Sequence, residues 1–157
     1  MKQMTLDRVF TFGDKLSFLI PHDWIEEEED GNYLYHLPKC RSGWFRASLF
    51  TLKSTGMASR QRIVHEMRSD PEEEGREFFE AGDNVVEAWV NHTTQDGVDI
   101  AVYYWAVGNC PSSNAQMKAL FSYTVLEEDV GKPETDAMLQ LLEELTSTAQ
   151  FKAPTPS

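Results

Sequence analysis

A chain of 157 residues is long enough for one domain with a full two-layer core and short for two, and with 41% hydrophobic and 25% charged side chains its composition argues against wholesale disorder. A formal net charge of −12 argues against nucleic-acid binding, which needs a basic stripe to displace counterions. The charge is uneven: residues 1–68 carry 10 basic and 9 acidic side chains and residues 69–157 carry 4 and 17, so the halves stand at +1 and −13.

Asp7, Arg8, Asp14 and Lys15 interrupt the N-terminal apolar positions, so no signal peptide is expected. No run reaches the roughly 18 apolar residues that span a bilayer. The expectation is a soluble, cytoplasmic chain without membrane insertion, in which Cys40 and Cys110 are reduced thiols. The glycosylation triplet at Asn91 then has no role.

Alternation predicts strands over 8–12 and 15–20, the second with Leu16, Phe18 and Ile20 on one face, joined as a hairpin through Gly13 and Asp14. Pro21, which has no N–H to donate, ends the pairing. The acids Glu26 to Asp30 read as a solvated turn, with Trp24 returning to cap the core. Strands follow at 33–37 and 43–53. In the latter Trp44, Arg46, Ser48 and Phe50 share one face, and Phe45, Ala47, Leu49 and Thr51 form the other, expected to face the core. Residues 57–68 switch to helical spacing through Met57, Arg60, Ile63, Val64 and Met67. An acidic loop leads from there to Phe78 and Phe79, whose state the pattern leaves open.

The strongest hairpin signal joins 84–93 to 98–108 across Gln95-Asp96-Gly97, and a further strand is expected over 116–127. That brings the count to roughly seven strands. Pro133, with Glu134 and Asp136 in the first turn, opens a helix whose stripe is Met138, Leu141, Leu142 and Leu145. Residues 152–157 read as a disordered tail, leaving a single domain over 1–151.

Three segments carry a resemblance to a known family. They are FTFGDKLSFLIPHDW (10–24), with its phenylalanine-rich strand ending in proline and then tryptophan; VYYWAVG (102–108); and ALFSYTV (119–125), followed by the acidic-start helix ending AQF. Together they resemble the Mog1/PsbP-like family. The resemblance implies an α+β fold: a central antiparallel sheet of about six or seven strands flanked by helices, an α/β/α sandwich. Pro21 and Trp24 match positions that look structural, and no catalytic residue carries over. Members of the family share binding to another protein.

Tests for chemistry come out negative. His65-Glu66-Met67-Arg68-Ser69 nearly spells a zinc-protease helix, but Ser69 stands where the second histidine must be. His36 and Cys40 have zinc-compatible spacing without a CxxC pair to complete a ligand set, and as a nucleophile pair they lack any marked oxyanion hole. No nucleophile elbow, dinucleotide fingerprint or phosphate loop is present. No cofactor and no metal are therefore expected. Trp89, Tyr103, Tyr104 and Trp105 lie on adjacent strands, and alternate parity sends them to opposite sheet faces, one of which either carries a helix or is open to a partner.

The functional expectation is a non-catalytic, acidic, cytoplasmic protein-binding module: an adaptor, a chaperone or an immunity-type accessory of a bacterial secretion system. Its partner would be basic or expose an apolar segment, with Glu72, Glu73, Glu74, Trp89 and Tyr104 as contact residues. The alternative is an enzyme, hydrolytic in type, with a cleft near Glu87, His92 and Asp99.

Overall fold

The computed structural model describes residues 5–13, 15–36, 44–53, 61, 76–112 and 115–152. Ten strands and one α-helix occur among them, in the order β1 (Arg8–Phe12), β2 (Leu16–Ile20), β3 (Ile25–Glu29), β4 (Asn32–His36), β5 (Trp44–Lys53), β6 (Glu77–Ala81), β7 (Asn84–Gln95), β8 (Val98–Ser112), β9 (Ala115–Leu126), α1 (Pro133–Ser147) and β10 (Gln150–Phe151). Seven strands build the large sheet in the order β3-β4-β5-β9-β8-β7-β6, and β1-β2-β10 form a small one. Every pairing is antiparallel.

The core lies between one face of the large sheet and a layer made of the small sheet and α1. Period two sends Leu16, Phe18 and Ile20 of β2 inward, where all three are buried. They meet Phe45 and Ala47 of β5, Phe121 and Tyr123 of β9, and Trp105 and Val107 of β8. The helix closes the other half of this face with Met138, Leu141, Leu142 and Leu145, the stripe that its 3.6-residue spacing dictates. Phe18 meets Phe121 edge-on at 5.2 Å, and Phe45 stacks on Phe121 at 5.8 Å. Burial of each such ring stabilises the fold by about 1.5–3 kcal/mol.

The acidic run differs from its sequence expectation. Ile25–Glu29 is a strand, β3, at one edge of the large sheet, with Glu26 opposite Tyr35 and Glu29 opposite Asn32. Only Asp30 is in the turn: Asp30 and Gly31 sit at φ 52° and 82°, the left-handed pair that closes a two-residue hairpin loop. Glutamate is a poor strand former, but alternation sends chain neighbours to opposite faces and Arg8 pairs with Glu26, so repulsion within the run is diluted. Trp24 is only 2% exposed, capping the core as expected. Phe78 and Phe79, left open by their pattern, lie in the edge strand β6. Of the helix expected at 57–68 only Gln61, which is helical, is among the described residues, and Cys40 and Glu72, Glu73 and Glu74 fall outside them.

Candidate binding interface

The helix and the small sheet occupy one face of the large sheet, and no other described element crosses the opposite face. Cross-strand register orders the side chains there. One row runs Glu27, Leu34, Arg46, Ser122, Tyr104, Trp89, and the next contains Trp44, Thr124, Val102, Asn91. Around β6 to β8 this face is buried at Val85, Glu87 and Ala106. Toward β3 to β5 it is open, with Trp44 59% and Ile25 64% exposed.

Trp89 and Tyr104, expected from sequence as contact residues, are brought together: their rings stack at 5.1 Å with an interplanar angle of 17°. Arg76 adds a third layer, its guanidinium 4.5 Å from the Trp89 ring centroid, while its Nη1 donates to Glu87 Oε1 at 2.7 Å. The result is a cation–ring–ring stack pinned to a carboxylate that is itself 7% exposed. Sequence reasoning missed Arg76, which stands at the end of an acidic loop with no local signal for its contacts. It also read Trp44 and Arg46 as one face of a strand without the pairing that sets them beside Leu34 and Ser122.

The residues of the enzymatic alternative do not converge. Glu87 pairs with Ala106 and points to the outer face, whereas His92 and Asp99 belong to the opposite parity. Asp99 lies seven residues along β8 from Ala106, about 23 Å away at strand rise. Each group is engaged elsewhere: His92 Nδ1 lies 2.9 Å from Glu127, and Thr94 Oγ1 donates to Asp99 at 2.6 Å. Among the described residues no group of three or more His, Cys, Asp or Glu side chains gathers as a metal site would require.

A cleft of about 1170 Å³ opens between β2, the β6–β7 turn and the end of α1, and Asn84, Asn109, Cys110 and Thr148 are among its lining residues. Three of its polar side chains are engaged in holding the fold. Asn84 Nδ2 donates to Ala149 O at 2.6 Å, Asn109 Nδ2 donates to Asn84 Oδ1 at 2.7 Å, and Thr148 Oγ1 accepts from the Leu19 N–H at 3.0 Å.

A seven-stranded antiparallel sheet with one face covered by a three-stranded sheet and a C-terminal helix is the Mog1/PsbP-like α+β fold. The chain is similar to the Ran-binding protein Mog1p of Saccharomyces cerevisiae, at 11% identity over 94% of this chain and 95% of that one, with a TM-score of 0.54. It is similar to LpqN of Mycobacterium tuberculosis, involved in cell envelope biogenesis, at 12% identity over 88% and 83% of the two chains and a TM-score of 0.58. A protein of Bacteroides thetaiotaomicron matches 88% of this chain at 22% identity, also with a TM-score of 0.58, and the present chain spans 45% of its length. At these identities the likeness is one of fold. No protein-family model matches the sequence, and a comparison with curated proteins finds no match. No helix among the described residues is long and apolar enough to cross a membrane.

Proposed function

We propose that the chain is a non-catalytic protein-binding module that grips its partner on the outer face of the large sheet. The observation that carries this reading is the open end of that face, where an indole 59% exposed stands one row from a pre-stacked Trp89–Tyr104 pair. Tryptophan, tyrosine and arginine are the residue types that dominate binding energy at protein interfaces, and rigid stacked rings lose little entropy on docking. That Mog1p, which shares this fold, is a Ran-binding protein is consistent with a sheet scaffold used for protein recognition. The scattered positions of Glu87, His92 and Asp99 weaken the hydrolytic alternative. Glu72, Glu73 and Glu74 remain candidate contacts from sequence.

Site-specific photo-crosslinking in the producing cell tests the proposal. A benzoylphenylalanine at position 44 or 104 should give a discrete adduct with another protein, and the same group at Val9, exposed on the small sheet, should give only background. Equal adduct patterns from all three positions would remove the face from consideration. Hydrolytic turnover by the purified chain that Trp44→Ala leaves intact would replace the proposal with the enzymatic reading.

A further inference from the structure

We infer that the free edge of β7 from Val90 to Thr94 takes up an extended segment of another protein as an added strand, the segment being β-branched or apolar at alternate positions and flanked by Lys or Arg. This rests on the chain being a protein-binding module and adds the way in which a partner attaches.

β7 runs to Gln95, but its neighbour β6 reaches only as far as the pair Glu77 and Ala88. Beyond Ala88 the strand has β8 on one side and no described strand on the other. Which backbone groups lie bare there follows from the turn. Gln95 and Val98 flank the two-residue loop Asp96-Gly97, with φ 53° and 79°, and the pair flanking such a loop exchanges both of its hydrogen bonds. Bonded and non-bonded pairs then alternate, so the N–H and C=O of Thr94, His92 and Val90 point away from β8. The series continues through Ala88, Val86 and Asn84, whose outward groups face β6. At Val90, His92 and Thr94 no described residue supplies a backbone partner. Every residue from Val90 to Thr94 is exposed, over a length of about 14 Å at strand rise.

Its side chains set this stretch apart from the outer edges of the sheet. β3 carries four glutamates along its edge, and β6 carries Glu77 and Glu80. From Trp89 to Gln95 the strand reads WVNHTTQ, with no acid, lysine or proline to discourage pairing, and its Val and Thr favour a pleated strand. Charge around the edge selects the occupant. Glu77 stands at one end and Asp96 and Asp99 at the other, and Glu127 lies 2.9 Å from His92 between them. The cations of the adjoining segments, Arg76 and Lys132, are each paired with an acid. A segment with basic ends is drawn to these carboxylates, whereas a second copy of the chain, itself at net charge −12, is repelled. Alternation sends side chains of the added strand in turn to the outer face, beside Trp89, Asn91 and Thr93, and to the inner one, beside Val90 and His92.

Selection from a random peptide display library on the intact chain tests this, with the selected sequences synthesised and titrated against wild type, Thr94→Pro, Thr94→Val and Trp44→Ala. Proline at position 94 deletes an N–H that points away from β8, while Thr94→Val loses the same hydroxyl contact with Asp99 and keeps the N–H. Melting temperatures show that each variant folds. Basic peptides with β-branched or apolar residues at alternate positions are expected, weakened roughly tenfold by Thr94→Pro, as for loss of one hydrogen bond, and unchanged by Thr94→Val. Their affinity should fall as salt rises from about 0.05 to about 0.3 M, because screening weakens attraction between opposite charges. Methylating the peptide's own backbone nitrogens gives a readout that needs no protein variant. Methyl groups at one parity should abolish binding and at the other leave it intact, because only alternate residues of an added strand turn their N–H toward β7. Peptides that tolerate methylation at both parities, or bind Thr94→Pro as well as wild type, would overturn strand addition, and their loss on Trp44→Ala would leave the outer face standing as the interface. Acidic peptides that pair at the edge would overturn the partner chemistry. A dimer of the chain alone in sedimentation, dissociated by Thr94→Pro, would give the edge to a second copy, and no selection above background would overturn the inference outright.

Discussion

The Arg8 guanidinium donates to the Trp24 carbonyl at 2.6 Å and, through the same Nη2, to Glu26 at 2.9 Å. One side chain of the small sheet thus fastens the chain leaving that sheet to the edge strand of the large one. It also positions Trp24 over Tyr35 and Phe45, with ring centroids 6.1 and 5.7 Å away.

The Arg8 contact holds the Glu26 carboxyl below its ordinary value of 4.5, outweighing the upward push of burial. A carboxylate depressed in the folded state stabilises the fold above its unfolded pKa, and the contribution is lost as pH falls through the folded value. Glu26→Gln should therefore be less stable than wild type at pH 7, with the gap closing below about pH 4.5. Urea midpoints measured across that range check it, and a constant gap would place the loss in packing.

Trp24→Ala should lower stability by about 3–5 kcal/mol, the usual result of deleting a buried aromatic whose neighbours cannot collapse into the space. An unaltered denaturation midpoint would contradict the burial of this ring.

Tyr35 is 1% exposed among Phe10, Phe18, Trp24 and Phe45, and its hydroxyl finds no hydrogen-bond partner among the described residues. Burial, the largest influence, pushes the phenol far above its ordinary range. An unsatisfied buried hydroxyl costs about 1–3 kcal/mol, so Tyr35→Phe should leave stability unchanged or raise it. A fall of more than about 1 kcal/mol would mean the hydroxyl has a partner.

Arg76 and Glu87 form a pair with side chains 23% and 9% exposed. Arg76→Met leaves a buried carboxylate uncompensated and should cost about 3–5 kcal/mol, while the double variant Arg76→Met, Glu87→Leu should recover most of it. If the two losses simply add in a double-mutant cycle, the ion pair is not what holds Arg76 over Trp89.

Much of the fold is legible in the sequence wherever a periodic pattern meets a physical boundary. Leu16, Phe18 and Ile20 alternate until Pro21, and Met138 to Leu145 repeats at helical spacing after Pro133. The acidic strand was not legible from propensity, because four glutamates argue against a strand and only pairing with Tyr33 and Tyr35 makes one. Its signal was the turn: Asp30-Gly31 carries the same code as Asp96-Gly97, which announced the long hairpin. At the candidate interface, parity separates Trp89 and Tyr104 from Trp105, but the corner at Arg46 depends on β4 lying beside β5. Strand order is a long-range property that no local pattern encodes.

The row of glutamates on β3 has a consequence for how the molecule behaves in a crowd. An edge strand presents unpaired backbone groups to any other strand that arrives, and a flat apolar edge would recruit copies of itself. Here a second copy would have to set Glu27, Glu28 and Glu29 against its own glutamates at a strand spacing of about 4.8 Å. β6 at the far edge carries Glu77 and Glu80. Among the described residues both ends of the sheet thus carry like charges that a second copy would have to bring together, which is how a sheet with two outer strands discourages edge-to-edge pairing with itself.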